Sequence, residues 1–115
     1  MNVRIKRVYL EPEDADGTRI LVDRLWPRGL TKERAKVDLW LKDIAPSTEL
    51  RKWFAHDAAK WVEFQERYSE ELKSKGEPLA LLKQKVSQGP VTLLYGAKDE
   101  AHNEAVILQR VLRHK

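Results

Sequence analysis

The sequence predicts an α/β fold: a small three- or four-stranded, mainly parallel sheet with helices packed on it, in a single domain over residues 1–115. Three observations carry this expectation. Ile20-Leu21-Val22 is continuously apolar, as a strand covered on both faces must be. A second apolar run, "VTLLYG" at 91–96, recurs near the other end of the chain. Between and after these runs, apolar residues repeat at helical spacing. Strands at both ends with helices between them are the pattern of a layered α/β domain.

In chain order, Val3 to Leu10 is rich in β-branched residues and reads as the first strand, closed by Glu11-Pro12 and the acidic loop Glu13 to Gly17. Thr18 to Leu25 reads as the second, ended by Pro27 and Gly29. Thr31 is placed to cap a short helix reaching Ala35, although Arg34 stands where a capping box would have Glu. "VDLWLKDI", Val37 to Ile44, alternates like a strand and also fits a helical turn; Pro46 closes it. Ser47 or Thr48 can cap a helix carrying Leu50, Trp53 and Phe54 on one side.

Asp57 suits the cap of the longest helix, which reaches Lys75 with Ala58, Trp61, Tyr68 and Leu72 in its apolar stripe and Phe64 beside it. Glu63 with Arg67 and Glu71 with Lys75 are i,i+4 pairs in the favourable order. Gly76 fits just past the helix end, and Pro78 fits the first turn of the next helix, which shows Leu79, Leu82 and Val86 and stops at Gly89-Pro90. After "VTLLYG", the loop Ala97-Lys98-Asp99 leads into a final helix to Arg113, with Ala101, Ala105, Leu108 and Leu112 on its inner face.

Composition narrows the function. An apolar fraction of 42% predicts a folded chain. Its 22 basic and 18 acidic residues are interleaved, and the net charge of +4 suits an anionic ligand without marking a dedicated nucleic-acid protein. The absence of cysteine excludes disulfides, thiolate catalysis and zinc–thiolate sites. No apolar leader and no stretch of membrane-spanning length are present, so no membrane partner is expected and the cytoplasm is the default location. The histidines, His56, His102 and His114, lack metal-ligand spacing, and no phosphate loop, dinucleotide fingerprint or nucleophile elbow occurs. No metal and no cofactor are therefore expected.

The chemistry is expected at the carboxyl ends of the strands, where open α/β sheets bind ligands. One apolar run ends in Asp23, Arg24, Trp26 and Arg28; the other ends in Tyr95, Gly96, Lys98 and Asp99, with His102 and Asn103 close behind. If the two strands are parallel neighbours, these segments meet. Guanidiniums, a lysine and a helix N-terminus all favour an anion such as phosphate or carboxylate. Asp23, Tyr95 and His102 are the candidates for acid–base work. Each residue also has a structural reading. Asp23-Arg24 fits a strand-end ion pair, His102 and Asn103 fit helix caps, Lys98 fits plain solvated surface, and Trp26, Trp40, Trp53 and Trp61 fit core packing.

At "KRVYL", "RILVDRLWPRGL", "DLWLKDIAPSTELRKWF" and "VTLLYGAKDEAHNEAVIL" the chain resembles the YeaO-like family of small bacterial proteins, filed under a domain of unknown function. The resemblance runs over nearly the whole length and implies no reaction. It implies recurring residues: Arg7, then Asp23 to Gly29, then Ala45 to Phe54, then Tyr95, Lys98, Asn103 and Ala105. In the middle segment, Ser47, Thr48 and Arg51 open a helix after a proline and are expected either to offer donors to the same site or to cap ordinarily. Longer relatives that carry cysteines after the last strand lend no thiol chemistry to a chain without them. In the resulting picture Asp23 orients Arg24 or Arg7, Arg28 and Lys98 face the ligand, and Trp26 and Tyr95 wall the pocket. The expected function is binding of an anionic small molecule, a phosphate-bearing metabolite or nucleotide, with acid–base catalysis open. Two rivals are a nucleic-acid module using Arg4, Lys6, Arg28, Lys32, Arg34 and Lys36, and a non-catalytic accessory protein that binds a partner.

Overall fold

In the computed structural model, residues 2–113 are described; His114 lies outside them. Four strands, β1 (Val3–Arg7), β2 (Thr18–Leu21), β3 (Leu39–Trp40) and β4 (Val91–Tyr95), form one sheet in the order β1-β4-β2-β3. Every neighbouring pair is parallel. The helices are α1 (Lys32–Ala35), α2 (Thr48–Phe54), α3 (Trp61–Leu72), α4 (Gly76–Gln88) and α5 (Glu104–Arg113). The last strand in sequence is thus central in space. Flanked on both sides, all five of its residues are buried, which is why "VTLLY" carries no alternation.

Both sequence-predicted early strands end sooner than expected. β1 stops at Arg7, where the chain turns back with Leu10 N–H bonded to the Arg7 carbonyl, leaving Tyr9 and Leu10 exposed. β2 stops at Leu21; Val22 still donates to the Leu94 carbonyl, but at the next step the Asp23 side chain takes over from the backbone. The ambiguous "VDLWLKDI" divides into the two-residue edge strand β3 and a 3-10 turn at Lys42–Ile44.

The sheet faces differ. One carries Val3, Ile20, Val22, Leu93 and Tyr95 into the main core with residues of α2, α3, α4 and α5. A stack of aromatics runs through it: Phe54 on Phe64 at 4.2 Å, then Phe64 on Tyr68 at 5.9 Å. The Tyr68 hydroxyl finds its partner in the Ile44 carbonyl at 2.6 Å, as a buried phenol must. The other face is thinly covered: Val8, Leu21 and Leu94 meet Ala35 of the one-turn helix α1.

Where that cover is thin, ion pairing replaces apolar contact. Buried Arg19 donates to Asp16 at 2.6 Å and to the Ala35 and Lys36 carbonyls at 2.7 and 3.1 Å, closing the C-terminal end of α1. Lys6 joins through Glu13 at 2.9 Å and Asp16 at 3.2 Å. Burial opposes the charge on Asp16, but the Glu13 N–H, Lys6 and Arg19 together hold its carboxyl below its ordinary value. Beside this cluster Gly17 is obligatory: its φ is +66°, and a Cβ there would lie 2.3 Å from the Pro90 carbonyl oxygen.

Other local expectations shift for physical reasons. Asp57 caps a 3-10 turn, Ala58–Lys60, that feeds α3. Glu71 does not pair with Lys75. It accepts the Ser47 N–H and hydroxyl at 2.8 and 2.5 Å, while Lys75 donates to the Asp43 carbonyl. Gly76 begins α4 instead of following a helix, and Ala101 is exposed in the turn before α5. None of the four tryptophans is fully buried, but three pack on the core: half-buried Trp53 and Trp61 against the main cluster and Trp26 against the smaller one, while Trp40 is 36% exposed. Trp53 also lies beneath Lys60 and Arg67, 5.2 and 4.3 Å from its ring centre.

Candidate functional site

The ends of β2 and β4 are adjacent and parallel, so the two polar segments do meet. The helices after them leave in opposite directions. α5 packs back over β1 and β4 on the main-core face, while α1 lies on the other face against Leu21 and Leu94. Such a divergence opens a crevice at the carboxyl ends of the strands. Asp23 spans its base: Oδ2 accepts the Gly96 N–H at 2.8 Å, which joins the two strand ends through a side chain. A Cβ on residue 96 would sit 3.0 Å from that oxygen, so glycine gives the carboxylate its room.

Above this bond is a cavity of ≈ 220 Å³ lined by Asp23, Arg24 and Leu25 from β2's end, Ala45 and Pro46, Arg51, Phe54 and His56 from α2's side, Phe64 of α3, and Gly96 to Ala97 and His102 to Glu104 from the segment before α5. Its wall is mostly apolar. Arg24 is fixed by donating to the Pro46 and Ala45 carbonyls at 3.1 and 3.4 Å. Arg51 is exposed, and its side chain makes no hydrogen bond or ion pair among the described residues. His56, which lines the cavity, and Ala55 before it both have left-handed backbone, φ +57° and +46°. Two successive non-glycine residues in that region carry strain, which fixed sites often store.

Glu104 is the residue that sequence reasoning missed. The first residue of α5, it lies within hydrogen-bonding reach of Asp23. Burial and the Asp23 charge push its carboxyl well above the usual range, which favours the protonated form of Glu104. The pair can donate from one carboxyl and accept at the other. On the same rim, His102 Nδ1 lies 2.8 Å from Asp99, whose carboxyl is held low by that contact and by the Ala101 N–H. Asp99 thereby orients the ring and leaves the other nitrogen free.

The remaining predicted residues are not in the cavity. Arg7 donates to the Ala97 carbonyl at 3.0 Å and holds the loop before α5 from behind. Trp26 turns to the thinly covered face, donates to the Leu30 carbonyl at 2.7 Å, and meets Trp40 edge-on at 5.5 Å. Arg28 and Lys98 are exposed outside the cavity; among the described residues only the carbonyl of Arg28 is engaged, by the Tyr9 hydroxyl at 3.0 Å. Ser47 caps α2 and holds Glu71, and Thr48 is exposed. Tyr95 is buried in the main core, its phenol pushed up by burial and by Glu100. Asn103 lines the cavity but its amide oxygen caps α5, accepting the Ala105 and Val106 N–H groups. The cavity therefore joins Asp23, Arg24, Arg51, His102 and Asn103 of the predicted set.

No group of three or more His, Cys, Asp or Glu side chains among the described residues is placed to hold a metal ion. No helix among them is long and apolar enough to cross a membrane.

A family model described as the inactive DUF488-N3 subclade matches residues 2–115. The sequence is 45% identical over 113 residues to the uncharacterised protein YeaO of Escherichia coli, covering 98% of each chain. It is 40% identical over 110 residues to the uncharacterised protein Rv3073c of Mycobacterium tuberculosis, covering 96% of this chain and 92% of that one. No solved structure matches it.

Proposed function

Since the chain belongs to the inactive DUF488-N3 subclade, the family of YeaO-like proteins, we propose that it binds a small anionic molecule at the ends of β2 and β4 without turning it over. The observation that carries the reading is the cavity itself, to which Arg51 brings a guanidinium with no partner of its own among the described residues. An unpaired fork of donors beside an apolar wall favours a carboxylate or phosphate group. The family's description as inactive favours binding over catalysis. The acid pair and the oriented histidine then serve recognition, as a donor and an acceptor beside the charged end.

The nucleic-acid reading is weaker, because Lys6 is already tied to Glu13 and Asp16 and Arg4 donates to the Ala15 carbonyl. The accessory reading expected no concave pocket, and one is present.

A thermal-shift screen against phosphate, sulfate and simple carboxylates tests the proposal. At least one anion should raise the melting temperature by mass action. The rise should vanish in Arg51→Ala and persist in Arg28→Ala, which lies outside the cavity. No shift with any anion would refute the reading.

A further inference from the structure

We propose that the cavity takes a flat, singly charged aromatic carboxylate with a hydrogen-bonding substituent. This rests on the anion-binding reading above and narrows it by size, shape and charge.

Size comes first. A cavity of ≈ 220 Å³ has the volume of about seven liquid waters. That is below the roughly 300–1,000 Å³ of sites for drug-sized ligands. It matches one substituted ring better than a nucleotide.

Shape comes second. The lining is mostly apolar: Leu25 stands exposed at the mouth, with Pro46 beside the buried Ala45, Phe54 and Phe64 deeper in. An inorganic anion or a polyhydroxylated chain would leave the apolar mouth wet, whereas a planar ring covers it with apolar surface.

Charge comes third. Arg24 and Arg51 bring two guanidiniums to the lining against the carboxylate of Asp23, and burial pushes Glu104 toward its neutral form. The lining is therefore net positive, and one carboxylate cancels that charge. A phosphate monoester carries about −1.5 to −2 near neutrality and would be left in excess beside Asp23. The Asp23–Glu104 pair offers a donor and an acceptor to one more polar group, such as a phenol or a ring nitrogen.

Isothermal titration calorimetry of the full chain tests this with benzoate, para-hydroxybenzoate, acetate, inorganic phosphate and adenosine monophosphate. The aromatic carboxylates should bind, para-hydroxybenzoate more tightly than benzoate, with acetate and phosphate far weaker. Arg51→Ala should weaken binding about tenfold or more, as expected for losing a charge-assisted hydrogen bond. Leu25→Glu, at a mouth residue that is 59% exposed and safe for folding, should weaken it by adding a negative charge. If phosphate or the nucleotide binds best and Arg51→Ala abolishes it, the aromatic assignment falls and the anion reading stands. If nothing binds, both fall. If aromatic carboxylates bind both variants as they bind wild type, they bind elsewhere and the assignment is overturned.

Discussion

Replacing Glu104 by Gln should make the protein more resistant to heat at neutral pH and leave it unchanged in acid. In the native chain, burial and the neighbouring Asp23 keep Glu104 protonated well above its ordinary value of 4.5. The unfolded chain feels neither and releases the proton near that ordinary value. A carboxyl whose native pKa is raised therefore contributes fully below the unfolded pKa, and the contribution drains away as pH climbs toward the native one. The slope approaches 1.4 kcal/mol per pH unit, or about 3–6 °C of melting temperature per unit in a domain of this size. The half-buried position of Glu104 moderates it. Gln keeps the shape and a donor but has nothing to ionise. The assay is a pair of thermal melts at each pH from 4 to 8. The difference between variant and wild type cancels the titration of every group but Asp23, the partner of Glu104. It should be near zero at pH 4, open above 4.5, and level off once native Glu104 also ionises. A difference flat in pH, or one that favours wild type as pH rises, would refute the shared-proton account. Asp23→Asn gives a check of opposite kind: it removes the repelling charge and weakens the bond to Gly96, costing about 1–2 kcal/mol.

Gly17→Ala should lose about 2–4 kcal/mol in urea denaturation, since its Cβ would strike the Pro90 carbonyl, which is backbone and cannot step aside. Asp16→Asn should cost about 3–5 kcal/mol at neutral pH by stranding Arg19 without its buried partner. That cost should shrink in acid below the ordinary carboxylate range, where wild-type Asp16 is itself protonated; an undiminished cost at low pH would count against the ion pair. Ala55→Gly should add about 0.5–1 kcal/mol, because glycine relieves the left-handed cap of α2.

The parallel sheet was legible because burial on both faces leaves an unbroken apolar run, and "VTLLY" is that run. Strand order was not: nothing local in residues 91–95 says that they insert between β1 and β2. The meeting of Asp23 with the end of β4 followed from the rule for open sheets. Glu104 was hidden because it reads as an ordinary acidic residue in a first helical turn. Its one signal was position, directly after the Asn103 cap and a strand end. Arg51 stood out only through the family resemblance, as helix periodicity treats it as solvated surface. Trp26, Arg28 and Lys98 were placed at the site because they follow the strand ends closely. The chain's direction beyond Val22 and Gly96 decides where they go, and turn geometry in three dimensions is what sequence spacing does not encode.

The central place of β4 also governs when the protein can come into being. Synthesis delivers β1, β2 and β3 long before residue 91, yet β1 and β2 touch β4 and not each other. Until residues 91–104 emerge, β1 has no partner strand and the crevice at Asp23 lacks the wall formed by Gly96, Ala97 and His102 to Glu104. Closing so distant a pairing is the slow, entropy-limited kind of folding step. Ribosome-bound chains halted before Val91 should therefore stay open to protease, and the ligand pocket should appear in the same event that completes the sheet.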